Sequence, residues 1–292
     1  MTEFFQLIVS GLSTGAIYAL AAIGFTLLWQ ASQTINFAQG EFVMLPAFFV
    51  LIGTHILGVN FVIALVFALG LTLLLLGYVF KRGIIDPMLP HGVTPIVVVT
   101  IALGLLMRDS VKEFYSAEAQ PFPALFSDET ISIFTAVISV QDIAILSISL
   151  VTVLALQLFL NQTRTGRCMQ ATAQNRGVAE ILGVNVNRMV LYTFLINAAL
   201  AMMASVLISP IYLAKFSNGE SLGLIAFIAA IIGGFNQVRG ALFGGLLIGL
   251  IDNLSAAYIS ATYRTGFPLI LLIFIILVRP QGLLGKAEER IV

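Results

Sequence analysis

Polar side chains are scarce in this sequence, and those that interrupt its apolar stretches are the first candidates for chemistry. One group of them separates two strongly apolar segments. If this group folds back into the membrane, its polar atoms need internal partners or a water-filled path, whereas a solvated loop needs neither. The pattern leaves both alternatives open for these residues, which are Gln30, Ser32, Gln33, Thr34, Asn36, Gln39 and Glu41.

Charged residues inside the apolar regions could bind ions or protons. The main ones are Glu41, Arg239 and Asp252. Secondary transporters often place acidic coupling sites near the middle of the membrane, which makes Glu41 and Asp252 candidates for such a role. Each of these two acids also stands next to the end of a predicted segment, so an interfacial position is the alternative.

Motifs of known enzyme chemistries are missing. The sequence contains no GxxxxGK[ST] phosphate-binding loop, no GxSxG elbow and no HExxH pair. Cys168 is the only cysteine, and His55 and His91 stand apart, so we expect neither an intrachain disulfide nor a metal site. A formal net charge of zero argues against binding to nucleic acid. We therefore expect no cofactor, no enzymatic activity and no ATPase in this chain.

Composition indicates that the elements positioning these residues lie in a bilayer. The chain has 292 residues, of which 59% are hydrophobic and 10% charged, and its mean hydropathy is +1.04. Soluble domains carry about 25% charged residues. Residues 4–40 and 42–80 contain no Lys, Arg, Asp or Glu, and about 20 apolar residues suffice for one helical crossing. Continuous apolar runs such as 65–76 lack the alternation of barrel strands.

We predict an all-α, polytopic integral membrane protein, a helical bundle of about eight to nine transmembrane segments within a single domain, 1–292. Met1–Glu3 form no basic region, so the first apolar stretch is expected to be a retained helix. The predicted segments are roughly 4–30, 42–53, 59–80, 93–107, a stretch ending near 160, 189–214, and two or three shorter pieces within 221–279.

The distribution of charge predicts the orientation of the segments. The loop 161–188 has four arginines and one acid, whereas 108–142 has two basic and six acidic residues, among them Asp128 and Glu129. Basic loops stay on the cytoplasmic side, so 161–188 is predicted inside and 108–142 outside. Basic residues in the tail agree with a cytoplasmic C-terminus: Arg279, Lys286 and Arg290. Eight segments would place the N-terminus inside, and nine would place it outside.

The loop 161–188 has the pattern of a short helix or helix pair on the membrane surface. Gly183 is suited to end a helix in the left-handed conformation, and Asn187 is suited to cap the next membrane helix. Two interpretations remain from the residues alone: an ordinary amphipathic connection between two spans, or a docking element for a partner protein.

Glycines recur at the four-residue spacing that lets membrane helices approach closely. They could form an interface with another subunit or pack within the chain. The four pairs are Gly11 with Gly15, Gly219 with Gly223, Gly240 with Gly244, and Gly245 with Gly249.

Five stretches resemble one known family over essentially the whole chain. They are 11–28, INFAQGEF at 35–42, 163–189, 226–250, and RPQGLLG at 279–285. They look like the corresponding stretches of the branched-chain amino acid permeases of ABC importers, the LivH-type subunit. Permeases for urea and short amides are similar. The sequence departs from the family at Gln39, where His is usual, and at 237–239, where a neutral Ser-Ile-Pro-like turn is usual.

The resemblance implies a permease subunit in a bacterial inner membrane. Its partners would be a second, similar permease, two cytoplasmic ATP-binding subunits and a periplasmic binding protein that delivers the solute. The solute would be a branched-chain amino acid or, alternatively, urea or a short amide. Closure of the ATPases would drive alternating access through a short helix at 175–182.

The same resemblance assigns residues to two roles. Candidates for the solute pathway are Asn36, Gln39 and Glu41. The ATPase-docking loop, 161–188, contributes Arg164, Gly166, Arg167, Ala173, Arg176, Ala179, Glu180, Leu182 and Gly183. Three other classes remain as alternatives: a stand-alone proton-coupled transporter using Glu41 or Asp252, a passive channel, and an intramembrane enzyme, for which no nucleophile–base or metal pattern is present.

Overall fold

The structure is a computed structural model that describes residues 2–124, 130–133, 136–264 and 266–285. The charged residues Asp128, Glu129, Lys286 and Arg290, on which part of the predicted orientation depends, lie outside these ranges. Twelve α-helices occur in the described residues: α1 Thr2–Ser32, α2 Gln39–Leu51, α3 Phe61–Thr72, α4 Asp86–Met88, α5 Val93–Phe114, α6 Val140–Gln162, α7 Arg164–Gln174, α8 Arg176–Ile181, α9 Val186–Tyr212, α10 Asn218–Gly233, α11 Val238–Tyr258 and α12 Gly266–Val278.

Wider helical turns lengthen two of these helices. A π-helical turn, Ile52–Ile56, continues α2, and two more, Leu73–Val79 and Lys81–Ile85, continue α3. The third predicted segment therefore does not stop at residue 80 but runs on to His91. Lys81 lies inside this helix, where its ammonium donates to Asp86 at 2.9 Å and also to Asn187.

The prediction of about eight to nine membrane segments agrees with the structure. Seven helices of the described chain are long and apolar enough to cross a membrane: Glu3–Ser32, Gln39–Ile56, Phe61–His91, Val93–Phe114, Val140–Gln162, Val186–Tyr212 and Val238–Tyr258. Two shorter apolar helices, Asn218–Gly233 and Gly266–Val278, follow the pattern expected for 221–279. One antiparallel hairpin, of strands β1 Thr130–Ile133 and β2 Ala136–Ser139, adds a small non-helical element to the predicted outer loop.

The chain divides into two compact units. Unit 1 comprises Met1–Thr26, Ala124–Leu150 and Leu224–Val292, and unit 2 comprises Leu27–Pro123 and Val151–Gly223. The core of unit 1 includes a close crossing of α1 and α11. A Cβ at Gly15 would lie 2.9 Å from the Gly245 carbonyl oxygen, and one at Gly11 would lie 3.2 Å from that of Gly249. These glycines therefore pack within the chain, the second of the two predicted alternatives.

Unit 2 is built around α2, which is buried along nearly its whole length. The Ser205 hydroxyl of α9 accepts a hydrogen bond at 3.0 Å from the Ala47 amide, which follows Pro46 in the middle of α2. Phe42 packs edge-on against Phe80, with ring centroids 4.8 Å apart. These contacts bury apolar side chains of α2 and thereby fix the position of its first turn. The polar candidates Gln39 and Glu41 lie in that turn.

Candidate functional site

The polar stretch between α1 and α2 is a buried break in the helices, not a solvated loop. Gln33 has a φ of 53°, a left-handed conformation that ends α1, and the chain stays non-helical until Gln39. Thr34 and Asn36 are 5% and 2% exposed. The Phe37 amide donates to the Thr100 hydroxyl of α5 at 3.3 Å, which fixes the break against a membrane helix.

Two long helices show how deep this break lies. Gly104 contacts the break and stands halfway along the 22-residue α5, about 17 Å from its start at about 1.5 Å per residue. Asn197, which bonds to Gln39, lies at a similar distance from the start of α9. Both markers place the first turn of α2 beside the middle part of α5 and α9, and interrupted helices of transporters often begin at solute sites in such a position.

Gln39 is fully engaged in a reciprocal amide pair. Its Nε2 donates to the Asn197 Oδ1 at 2.7 Å, and the Asn197 Nδ2 donates to the Gln39 Oε1 at 2.9 Å. Both residues are at most 1% exposed. This pair ties α2 to α9, so Gln39 contributes to the packing of these two helices. Asn197 was not among the predicted residues; its only sequence signal is an amide in the middle of an apolar run.

Asn36 and Glu41 each keep one polar atom without a partner in the described part of the chain. The Asn36 Oδ1 accepts from the Ala38 amide at 3.1 Å, whereas its Nδ2 and the Glu41 Oε2 make no hydrogen bond there. Glu41 is 7% exposed. Burying an unpaired polar or charged group is costly, so these two atoms are the ones that a passing solute could satisfy.

The first turn of α10 meets the first turn of α2 at Glu41. A Cβ at Gly219 would lie 2.7 Å from the Glu41 Oε1, so this position has room only for glycine. The next residue, Glu220, accepts from the Arg108 Nη1 at 2.6 Å, and the Arg108 guanidinium lies 5.8 Å from the centre of the Phe216 ring. Arg108 and Glu220 are two further residues of this site that sequence reasoning did not assign.

Asp252, the other predicted proton-site candidate, has partners for both of its oxygens. It lies inside α11, is 2% exposed and accepts from Arg264 at 2.5 and 2.6 Å and from the Tyr18 hydroxyl at 3.2 Å. It is therefore buried within the protein and held by an arginine that lies beyond the end of α11. Arg239, by contrast, is exposed in the first turn of α11.

The loop 161–188 folds as the helix pair α7 and α8. Thr163 caps α7 by accepting from the Gly166 amide at 2.9 Å, and Asn175 caps α8 by accepting from the Val178 amide at 3.0 Å. Gly183 follows α8 with a φ of 84°, as predicted. The predicted cap of α9 at Asn187 is wrong: Asn185 caps that helix by accepting from the Arg188 amide, because a cap must precede the first turn.

The predicted docking residues fall into three groups by exposure. Gly166 and Ala179 are buried, which fits a role in holding the helix pair in place, and Ala173 and Arg176 are half-buried. The remainder are exposed: Arg164, Arg167, Glu180, Leu182 and Gly183. Val178, Ile181 and Leu182, at helical spacing, add an apolar face that is 50%, 86% and 74% exposed.

Arg176 connects this helix pair to the end of α1. Its Nε and Nη2 donate to the Ala31 carbonyl at 3.2 and 2.5 Å. Burial lowers the pKa of the Arg176 guanidinium, and the Glu180 carboxylate opposes that shift. Ala31 immediately precedes the last residue of α1, so Arg176 is attached to the helix end from which the buried break begins.

Comparison with known proteins gives consistent matches. Residues 7–276 match the family described as "Branched-chain amino acid transport system / permease component". The chain is 30% identical to the high-affinity branched-chain amino acid transport system permease protein LivH of Salmonella typhimurium, over 98% of this chain and 96% of that protein. It is also 30% identical to BraD of Pseudomonas aeruginosa, over 98% and 97%.

A solved structure supports the fold. PsaBC from Streptococcus pneumoniae, in complex with Fab, superposes with a TM-score of 0.51 at 15% identity, over 96% of each chain. At that identity the similarity concerns the fold alone. Because the family match spans nearly the whole sequence and the helices are those of a multi-pass membrane protein, this chain belongs to the permease component family of branched-chain amino acid transport systems.

Proposed function

We propose that this chain is one of two permease subunits of an ATP-driven importer that carries leucine, isoleucine or valine across a bacterial inner membrane. A periplasmic binding protein would deliver the solute, and two cytoplasmic ATP-binding subunits would supply the energy. Residues 1–292 would act as a single transmembrane permease domain. The relatives LivH and BraD are branched-chain amino acid permease proteins, which supports this assignment.

The exposed apolar face of α8 is the observation that carries the proposal. Val178, Ile181 and Leu182 lie outside the apolar spans, yet they expose large hydrophobic side chains on a short capped helix. Such a patch is typical of a surface that another protein covers. A groove on an ATP-binding subunit is the proposed occupant, with the exposed Arg164, Arg167 and Glu180 at the polar rim.

This arrangement gives a physical route for coupling. Movement of α8 with an ATP-binding subunit would act through Arg176 on the end of α1 and hence on the buried break at residues 33–38. With nine crossings and a cytoplasmic docking loop, the N-terminal end of α1 would lie outside. Alternating access would then change the exposure of the site around Glu41.

Import of urea or short amides by the same architecture is the alternative that the sequence left open. The departure from the family at Gln39 gives it no support, because that amide is paired with Asn197. A stand-alone transporter using Asp252 is also disfavoured, because Arg264 and Tyr18 already occupy its carboxylate.

Reconstitution tests the proposal directly. Proteoliposomes would contain this chain, its neighbouring permease, both ATP-binding subunits and the binding protein, with labelled leucine outside and ATP available to the ATP-binding subunits. ATP-dependent leucine uptake that urea and acetamide do not inhibit is the expected result. ATP-dependent uptake of urea instead would replace the solute, and flux without ATP or partners would refute the importer.

A further inference from the structure

Glu41 is a buried carboxylate with an unsatisfied oxygen, at the level of the middle part of α5 and α9. It is 7% exposed, and its Oε2 has no hydrogen-bond partner among the described residues. An ionisable group at this depth is costly unless a counter-charge or hydrogen-bond donor reaches it. Gly219 packs directly against the carboxylate, and because it has no side chain it leaves the space that the Glu41 side chain occupies.

Arg108, on the helix that packs against Glu41, is already paired with another acid. Arg108 stands one turn beyond Gly104, whose position faces the Glu41 side chain, and helical side chains point back toward the preceding turn. Its guanidinium is paired with Glu220 at 2.6 Å. Glu220 therefore holds the Arg108 guanidinium, whereas the Glu41 Oε2 has no hydrogen-bond partner among the described residues, so a positively charged donor would complete its balance.

Arg108 also keeps capacity for a negative group. Its Nε is buried and has no partner within the described chain, and the pairing with Glu220 uses only Nη1. Glu220 itself is 71% exposed at its side chain, so a carboxylate from a ligand could replace it on the planar guanidinium. A cationic donor, Arg108, and an anionic acceptor, Glu41, therefore lie on neighbouring helices of unit 2.

A small cleft lies further along α2, where α9 and α10 border it. Its lining combines apolar residues with polar ones: Met44, Ala47 and Phe48 of α2, Ile208 of α9 and Leu222 of α10, together with Ser209, Lys215 and Asn218. Met44 and Phe48 follow Glu41 at helical spacing, so they occupy the same face of α2. The site thus combines a charged end with an adjacent apolar surface.

We propose that Glu41 binds the α-ammonium group of an α-amino acid in transit, while Arg108 faces the α-carboxylate and the apolar face of α2 beyond Glu41 contacts an aliphatic side chain. The inference rests on the proposed function and narrows its solute to zwitterionic amino acids. An ammonium ion supplies both the charge and the donors that the Glu41 Oε2 lacks. Urea and short amides supply donors without charge, so they leave the imbalance in place.

Transport by the complete complex provides the first test. The variants are Glu41→Gln, Glu41→Asp and, as a matched control, Glu113→Gln, which removes an exposed acid of α5. Because a hydrogen bond between charged groups is stronger than a neutral one, Glu41→Gln should lower leucine uptake per ATP hydrolysed about tenfold or more. Glu41→Asp should recover part of the loss, and Glu113→Gln should match the wild type. Wild-type coupling in Glu41→Gln would overturn the inference while leaving leucine import, and so the proposed function, intact.

Protection from chemical labelling keeps the inference testable if Glu41→Gln fails to assemble. The wild-type complex would be treated with dicyclohexylcarbodiimide, and modification of Glu41 followed by mass spectrometry. Leucine, leucinamide and isopentylamine, which carry an ammonium group, should slow the labelling several-fold, whereas 4-methylpentanoate and urea should not. Equal labelling with and without the ammonium compounds would overturn the inference.

Discussion

Replacement of Arg176 by glutamine should uncouple ATP hydrolysis from transport. The Arg176 guanidinium makes two hydrogen bonds to the Ala31 carbonyl, at 3.2 and 2.5 Å. That carbonyl is among the last four of α1, which have no partner within the helix and form the negative end of its dipole. The glutamine side chain would be shorter and neutral, so both the bidentate contact and the charge would be lost.

The size of the effect follows from these contacts. A hydrogen bond involving a charged group contributes about 1.5–3 kcal/mol, and a cation at a helix C-terminus about 0.3–1 kcal/mol. Because Arg176 is half-buried and therefore partly screened, we expect a loss of about 2 kcal/mol. At about 1.4 kcal/mol per factor of ten, this loss corresponds to about a thirtyfold shift toward the state in which residue 176 no longer contacts the end of α1.

The assay is the ratio of leucine taken up to ATP hydrolysed in the reconstituted complex. Hydrolysis should persist in Arg176→Gln, because Val178, Ile181 and Leu182 still present the apolar face of α8. The ratio should fall by about tenfold or more. Arg176→Lys should be intermediate, because a lysine keeps the charge without the fork of donors. In Arg176→Gln, hydrogen exchange of the backbone amides of residues 28–33 should also become faster.

Arg188→Gln is the matched control, because Arg188 is an exposed arginine of the same loop. It should leave both the ratio and the exchange rates unchanged. An Arg176→Gln complex with wild-type coupling and wild-type exchange at the end of α1 would refute the mechanical role of this contact.

Three further substitutions test other parts of the structure. Gly166→Ala would place a Cβ 2.6 Å from the Leu160 Cα and should destabilise the complex by about 1–3 kcal/mol in thermal unfolding. The control Gly177→Ala, whose Cβ would have its nearest atom at 3.6 Å, should be neutral or stabilising. Equal effects of the two substitutions would contradict this packing. Replacing Gln39 or Asn197 by Ala should cost about 1–3 kcal/mol each, and the double variant should cost less than the sum in a double-mutant cycle, so additive losses would rule out the amide pair. Asp252→Asn should reduce thermal stability by about 1–2 kcal/mol, because it weakens the charge-assisted hydrogen bonds from a partly exposed Arg264. Leucine uptake per ATP hydrolysed should stay unchanged. Loss of coupling at normal stability would instead indicate a role of Asp252 in ion translocation.

The membrane helices could be predicted because hydropathy is a local property of the sequence. Apolar runs located all nine apolar helices of the described chain, and the two short ones fell within the broken stretch 221–279. The ends were less accurate, since α5 continues to Phe114 past the charged residues that closed its predicted segment at 107. Charged side chains near a helix end are compatible with helical geometry, so they mark an interface and not the last turn.

The candidate site was only partly accessible to such reasoning. Glu41 stood out as an acid in an apolar context, but its surroundings come from α5 and α10, far along the chain. Likewise, nothing near Gln39 in sequence indicates that Asn197, on α9, completes its hydrogen bonds. Partners of this kind are fixed by tertiary packing, for which one sequence contains no local signal.

The contact between α2 and α10 at Glu41 has a consequence for dynamics. Gly40 meets Gly219 and Gly223 backbone to backbone, with the position of a Gly40 Cβ only 3.0 Å from the Gly223 Cα. Interlocked side chains must leave one set of grooves and enter another before helices can slide. Two smooth glycine surfaces have no such ridges, so α10 can shear along α2 without any rotamer change. This contact would therefore offer little resistance to sliding. The first turn of α10, which packs on Glu41, could then move on the timescale of a transport cycle.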